Sequence, residues 1–98
     1  MDRNEIIRVL REHKLELHRK GVVHAGLFGS QARGDTNAGS DIDILIDFDP
    51  DARLSVFDYV GLKEYIGDLF EGPVDIVSRK GLKPYLRRAV LEDLIDAF

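Results

Sequence analysis

The sequence predicts an α/β domain of the α+β kind: a small mixed sheet of about three strands, flanked by helices and covered mainly on one face. Three observations carry that expectation. Residues 41 to 48, DIDILIDF, alternate acidic and apolar with period two. Two other short runs, VVHAGLF and VDIVS, are rich in β-formers, the first entered from Gly21 and the second from Gly72-Pro73. Around them lie stretches whose apolar residues recur at the 3.6-residue period of a helix. With 98 residues, 44% of them hydrophobic, and no low-complexity tract, the chain is expected to form one domain over residues 1 to 98.

Residues 2 to 20 read as the first helix. Asp2 and Glu5 have capping-box spacing, and Ile6, Leu10, His13 and Leu17 fall on one stripe. A strand over residues 22 to 28 then runs into the Gly29-Ser30 turn, and Gln31, Ala32 and Arg33 can form a helical turn behind it. After a loop over residues 34 to 40, the alternating segment is the second strand. Its Ile42, Ile44, Ile46 and Phe48 share one face, and Asp41, Asp43, Leu45 and Asp47 the other. Ser55 with Asp58 caps the next helix, whose stripe is Tyr59, Leu62, Tyr65, Ile66 and Leu69 and which Gly72-Pro73 stops. Residues 74 to 78 are the third strand; a basic segment and an amphipathic helix over residues 83 to 97 follow.

No apolar run approaches the roughly 20 residues of a membrane span, and the N-terminus lacks a secretory layout, so a cytoplasmic protein without membrane contact is expected. The absence of cysteine excludes disulfides and thiolate metal sites, leaving oxygen and imidazole donors and placing hard cations such as magnesium first. A net charge of −4, from 14 basic and 18 acidic residues, argues against strong general nucleic-acid binding. The charges are also segregated: Asp35, Asp41, Asp43, Asp47, Asp49 and Asp51 lie in a stretch without Lys or Arg, whereas Arg79, Lys80, Lys83, Arg87 and Arg88 lie in one without acid.

On an extended strand Asp41 and Asp43 project from one face about 6 to 7 Å apart, close enough to converge on one or two divalent ions. A D-x-D alone is more often the solvent side of a half-exposed strand. Asp75, flanked by apolar Val74 and Ile76, changes that balance: if its strand pairs beside the second in register, three carboxylates share one patch. The Gly29-Ser30 turn complements them, because glycine lets backbone approach a ligand, the following N–H groups favour anions, and Ser30 adds a hydroxyl. Arg33 could reach a phosphate or tie down the acidic loop by an ion pair, the latter slightly favoured. Ser40 is a loop residue or local backbone cap, and the basic segment a solvated helix face or a contact for a triphosphate or an acidic partner. Neither a P-loop nor a dinucleotide glycine pattern is present. DFDPDARLSVFD, residues 47 to 58, matches a calcium loop at four positions but has Ala52 where glycine is needed.

At Gly29-Ser30, ten intervening residues and Asp41-Ile42-Asp43, the chain resembles the nucleotidyltransferase superfamily of DNA polymerase beta. The fuller string GSQARGDTNAGSDIDILID is similar to the minimal nucleotidyltransferases, particularly the MntA-type antitoxins paired with HEPN toxins. The resemblance implies a polymerase-beta-like fold and ATP as substrate. It further implies Gly29 and Ser30 at the nucleotide phosphates with Arg33 and Ser40 beside them, magnesium as two ions on Asp41, Asp43 and Asp75, and Asp75 helping to activate an acceptor hydroxyl. The implied reaction is adenylylation, transfer of AMP to a tyrosine of a HEPN ribonuclease toxin with release of pyrophosphate. A chain this small is expected to need a hetero-oligomeric partner or a second copy to complete the nucleotide pocket and hold the acceptor. Alternatives are an antitoxin that neutralises by binding alone, transfer to a small molecule, and transfer to RNA ends.

Overall fold

The computed structural model describes residues 2–35 and 41–98. Ser40, placed at the nucleotide by the resemblance, lies outside the described residues, as does the rest of the loop over residues 36–40. The elements run α1 (Arg3–Glu12), α2 (Lys14–Arg19), β1 (Val22–Phe28), α3 (Gly29–Arg33), β2 (Ile42–Phe48), α4 (Val56–Asp68), β3 (Val74–Ser78), a 3-10 turn (Arg79–Gly81), α5 (Pro84–Asp93) and β4 (Ile95–Asp96).

Two expectations need correction. The first helix is two: the His13 N–H reaches both the Val9 and Leu10 carbonyls, at 3.3 and 3.2 Å, and its ring Nδ1 lies 2.8 Å from Val9 O. This ring contact with the i−4 carbonyl accompanies the break. The stripe survives it, since Ile6, Leu10 and Leu17 are buried and His13 is half-buried. The second correction is to the helix expected over residues 83 to 97, which ends at Asp93; the segment after it adds a fourth strand to a sheet expected to have about three. The chain leaves α5 at Leu94, and Ile95 and Asp96 pair antiparallel with Leu27 and Gly26.

The strand order is β3-β2-β1-β4, with β2 antiparallel to β1 and parallel to β3. Ile44 and Ile46 are fully buried and Ile42 nearly so, joined by Ile6 and Leu10 of α1, Leu17 of α2 and Leu62 and Ile66 of α4. The opposite face is not simply open. Leu45 is buried there, and Leu94 packs so tightly over Gly26 that a Cβ would meet its Cδ1 at 2.7 Å and the Ile95 carbonyl at 2.9 Å. The helix ends follow the expected chemistry: the Asp2 carboxylate accepts from Glu5 N–H at 2.9 Å, and Ser55 with Asp58 forms a reciprocal capping box. That box holds the Asp58 carboxyl below the usual aspartate range, chiefly through the Ser55 N–H and then through its hydroxyl. Among the described residues no helix is long and apolar enough to cross a membrane.

Candidate nucleotide and metal site

β2 is the element on which the site is built. Its core-facing isoleucines fix the register, and the same alternation sends Asp43 to the opposite face. The register sets Asp43 opposite Phe28, the last residue of β1, and opposite Asp75 of β3. Neighbouring strands lie about 4.8 Å apart, so the Asp43 and Asp75 carboxylates start side by side. Asp41, two residues earlier, continues the row just outside the strand, where Ile42 N–H donates to Pro73 O at 3.0 Å. Asp41 and Asp75 are exposed and Asp43 is half-buried between them.

Burial pushes the Asp43 carboxyl above the usual aspartate range, and the charges of Asp75 and then Asp41 push it further; Arg33 acts in the opposite sense. The structure therefore brings Asp41, Asp43 and Asp75 into one electrostatic patch. Like charges so arranged are unfavourable unless a cation joins them.

Gly29 closes the patch from the β1 side. Its φ is +76°, and a Cβ there would overlap Asp43 Oδ2 and stand 3.3 Å from Asp43 Cγ. Only glycine combines that backbone angle with that proximity. The turn continues into α3, whose N-cap residue Phe28 makes no side-chain cap, and the first N–H groups of a helix have no intrahelical acceptor. Ser30 is half-buried on this turn. All the donors are hard oxygens, which suits magnesium. The glycine cradle against Asp43 further fits a group that must lie close to both backbone and carboxylate. Among the described residues no three His, Asp or Glu side chains already close on one point. What is present is an aligned row of acids rather than a finished cage.

Arg33 is held by two carboxylates, Asp35 Oδ2 at 3.1 Å from Nε and Asp93 Oδ2 at 2.5 Å from Nη1. Those hydrogen bonds raise its pKa. The ion pair expected of it with the acidic loop is thus present, and a second one joins α3 to α5. Asp93 was invisible to sequence reasoning, since nothing local links residues 60 positions apart. Gln31 was also missed: it is the one buried polar side chain among the described residues, and its Oε1 has no hydrogen-bond partner.

Three other acids flanking the second strand and the next helix have partners of their own. Asp47 accepts Arg79 Nε on both oxygens at 3.0 Å, Asp49 accepts the Asp51 N–H at 2.9 Å, and Asp58 belongs to its helix cap.

Residues 8–97 match the family model described as "Nucleotidyltransferase domain". The protein adenylyltransferase MntA of Thermococcus cleftensis is 38% identical over 92 residues, covering 93% of this chain and 91% of that protein. The solved structure of a candidate minimal nucleotidyltransferase has a TM-score of 0.75 at 41% identity, over 97% of this chain and 95% of the other. A toxin-antitoxin crystal structure with AMP-PNP covers 100% of this chain and 73% of its own with a TM-score of 0.69; at 22% identity it speaks to the fold alone.

Proposed function

Because the chain belongs to the nucleotidyltransferase domain family, we propose that it transfers AMP from ATP to a protein hydroxyl, a tyrosine of a HEPN-type toxin, and so acts as that toxin's antitoxin. The observation that carries this reading is the register at Asp43, which aligns it with Asp75 on one side and with the Gly29 turn on the other. Further support is the likeness to an adenylyltransferase named MntA over nearly the whole chain.

In this reading the backbone of the Gly29-Ser30 turn and the Ser30 hydroxyl hold the nucleotide phosphates, with Arg33 and Ser40 beside them. Asp41, Asp43 and Asp75 hold magnesium as two ions, which when bound neutralises charge on the entering and leaving oxygens of an in-line displacement. The acceptor oxygen bonds to the α-phosphorus of ATP while the bond from that phosphorus to the α,β-bridging oxygen breaks. Pyrophosphate leaves, and the hydroxyl proton passes to Asp75 and from there to water. No covalent enzyme nucleophile is needed; alignment and charge neutralisation carry the step. The exposure of Asp41 and Asp75 leaves the row accessible to an acceptor side chain.

The test is label transfer from α-labelled ATP and magnesium to the HEPN-type protein co-expressed with this chain, comparing wild type with Asp43→Ala. Label on a partner tyrosine, lost in the variant, is the expected result. A partner that both proteins neutralise without any label would overturn it in favour of neutralisation by binding alone.

A further inference from the structure

Seven of the eight large hydrophobic side chains exposed among the described residues fall in two stretches, residues 54–60 and 85–91. Helix α5 buries none of its ten residues, whereas α1, of the same length, buries Ile6, Ile7 and Leu10. Three of the seven, Leu54 and Val56 on the α4 side and Leu91 on α5, line one groove of about 920 Å³ together with half-buried Tyr59. Two turns of helix, about 11 Å long and 10 Å across, occupy on the order of 850 Å³.

Its charge is lopsided. Arg79 is neutralised by Asp47, but Lys80 and Arg87 form no ion pair among the described residues, and Asp49 is the single acid left to offset them in the lining. The groove reaches the far ends of β2 and β3, at Asp47 and Ser78, about 13 Å along the strand from Asp43. It is therefore separate from the carboxylate row.

We infer that this groove is the docking surface for the protein acceptor, and that its occupant is an acceptor helix with an apolar stripe flanked by acidic residues. The inference rests on the proposed protein acceptor. The apolar lining supplies the contact area, and Lys80 and Arg87 select an acidic flank. A second copy is the poorer occupant, because an isologous pairing through this face would bring two basic stretches into one interface. Docking here leaves the acids at the opposite end of β2 and β3 free for the acceptor tyrosine. Binding energy made remote from the chemistry then holds that tyrosine near the nucleotide.

The test uses Val56→Glu combined with Leu91→Glu, and Arg87→Glu with Arg87→Lys as its conservative control, each checked for an unchanged melting profile. The probe is the HEPN-type protein of the transfer assay, and its affinity is measured calorimetrically in an Asp43→Asn background so that binding is read without turnover. The expected result is an affinity loss of about tenfold or more for the glutamate variants and recovery in Arg87→Lys. With Asp43 intact, KM for the acceptor rises in parallel while KM for ATP stays unchanged. Binding lost in these variants although wild type transfers no label supports the docking surface and overturns the enzymatic reading. Transfer with undiminished binding in the variants does the reverse. Loss of self-association by light scattering, with acceptor affinity intact, overturns the inference by making a second copy the occupant, and a wild-type protein that does not bind the probe overturns both.

Discussion

Alanine at Gly29 separates the backbone cost of the turn from its cost to the site. At φ +76° an L-residue sits in left-handed space, which costs about 1 to 2 kcal/mol. For a domain of this size each kcal/mol lowers Tm by roughly 4 to 8 °C. The new Cβ also overlaps Asp43 Oδ2. A half-buried carboxylate can rotate away at little further cost in stability, but it then leaves the position next to the turn. A displacement of about 1 Å at a reacting centre costs on the order of 100-fold in rate. Gly34 supplies the control: its φ is +80°, yet a Cβ there meets nothing within 4 Å among the described residues. Gly29→Ala and Gly34→Ala should therefore lose similar Tm in thermal melts, while only Gly29→Ala loses nucleotidyl transfer, by about 100-fold or more in kcat. Equal transfer rates in the two variants would refute the argument that the Asp43 carboxylate must occupy the space glycine leaves it.

Three more perturbations follow from the same geometry. Asp43→Asn should abolish transfer yet raise Tm at neutral pH. The folded-state pKa of Asp43 is raised, so its ionisation weakens the fold progressively as pH climbs above the ordinary aspartate value near about 4, and the gain should vanish below that value in melts across pH. Magnesium should raise Tm in wild type by mass action and do so less in this variant. Arg33→Ala removes the charge that lowers the Asp43 pKa, so the acidic limb of the pH–rate profile should move to higher pH. Gly26→Ala forces a Cβ against Leu94 and the Ile95 carbonyl, and should cost about 1 to 3 kcal/mol in denaturant titrations because a paired backbone cannot step aside.

The site was legible where its physics is local. Alternation in residues 41–48 fixed which side each aspartate takes, and the same pattern around Asp75 required only that β3 pair beside β2, which it does with Asp75 opposite Asp43. The Gly29 turn was visible as a glycine at a strand end. β4 was not, because a strand of two residues has no period and exists only through its pairing with Gly26 and Leu27. The break at His13 was hidden for the opposite reason: the apolar stripe continues through it, and neither proline nor glycine marks the spot. The Arg33–Asp93 and Arg79–Asp47 pairs join residues that only the folded chain brings together. The groove between α4 and α5 follows equally from tertiary placement.

The strand order has a consequence for how activity fails under stress. β2 has a hydrogen-bonded neighbour on each side, whereas β3 lies at the edge of the sheet, with β2 as its sole partner strand among the described residues. Amides of residues 44–46 should therefore be among the slowest to exchange with deuterium, and those of β3 should exchange through smaller, partial openings. Such an opening detaches Asp75 from the row while Asp43 stays anchored. Transfer activity is accordingly expected to fade on warming several degrees before the core melts, and to return on cooling without refolding of the whole chain.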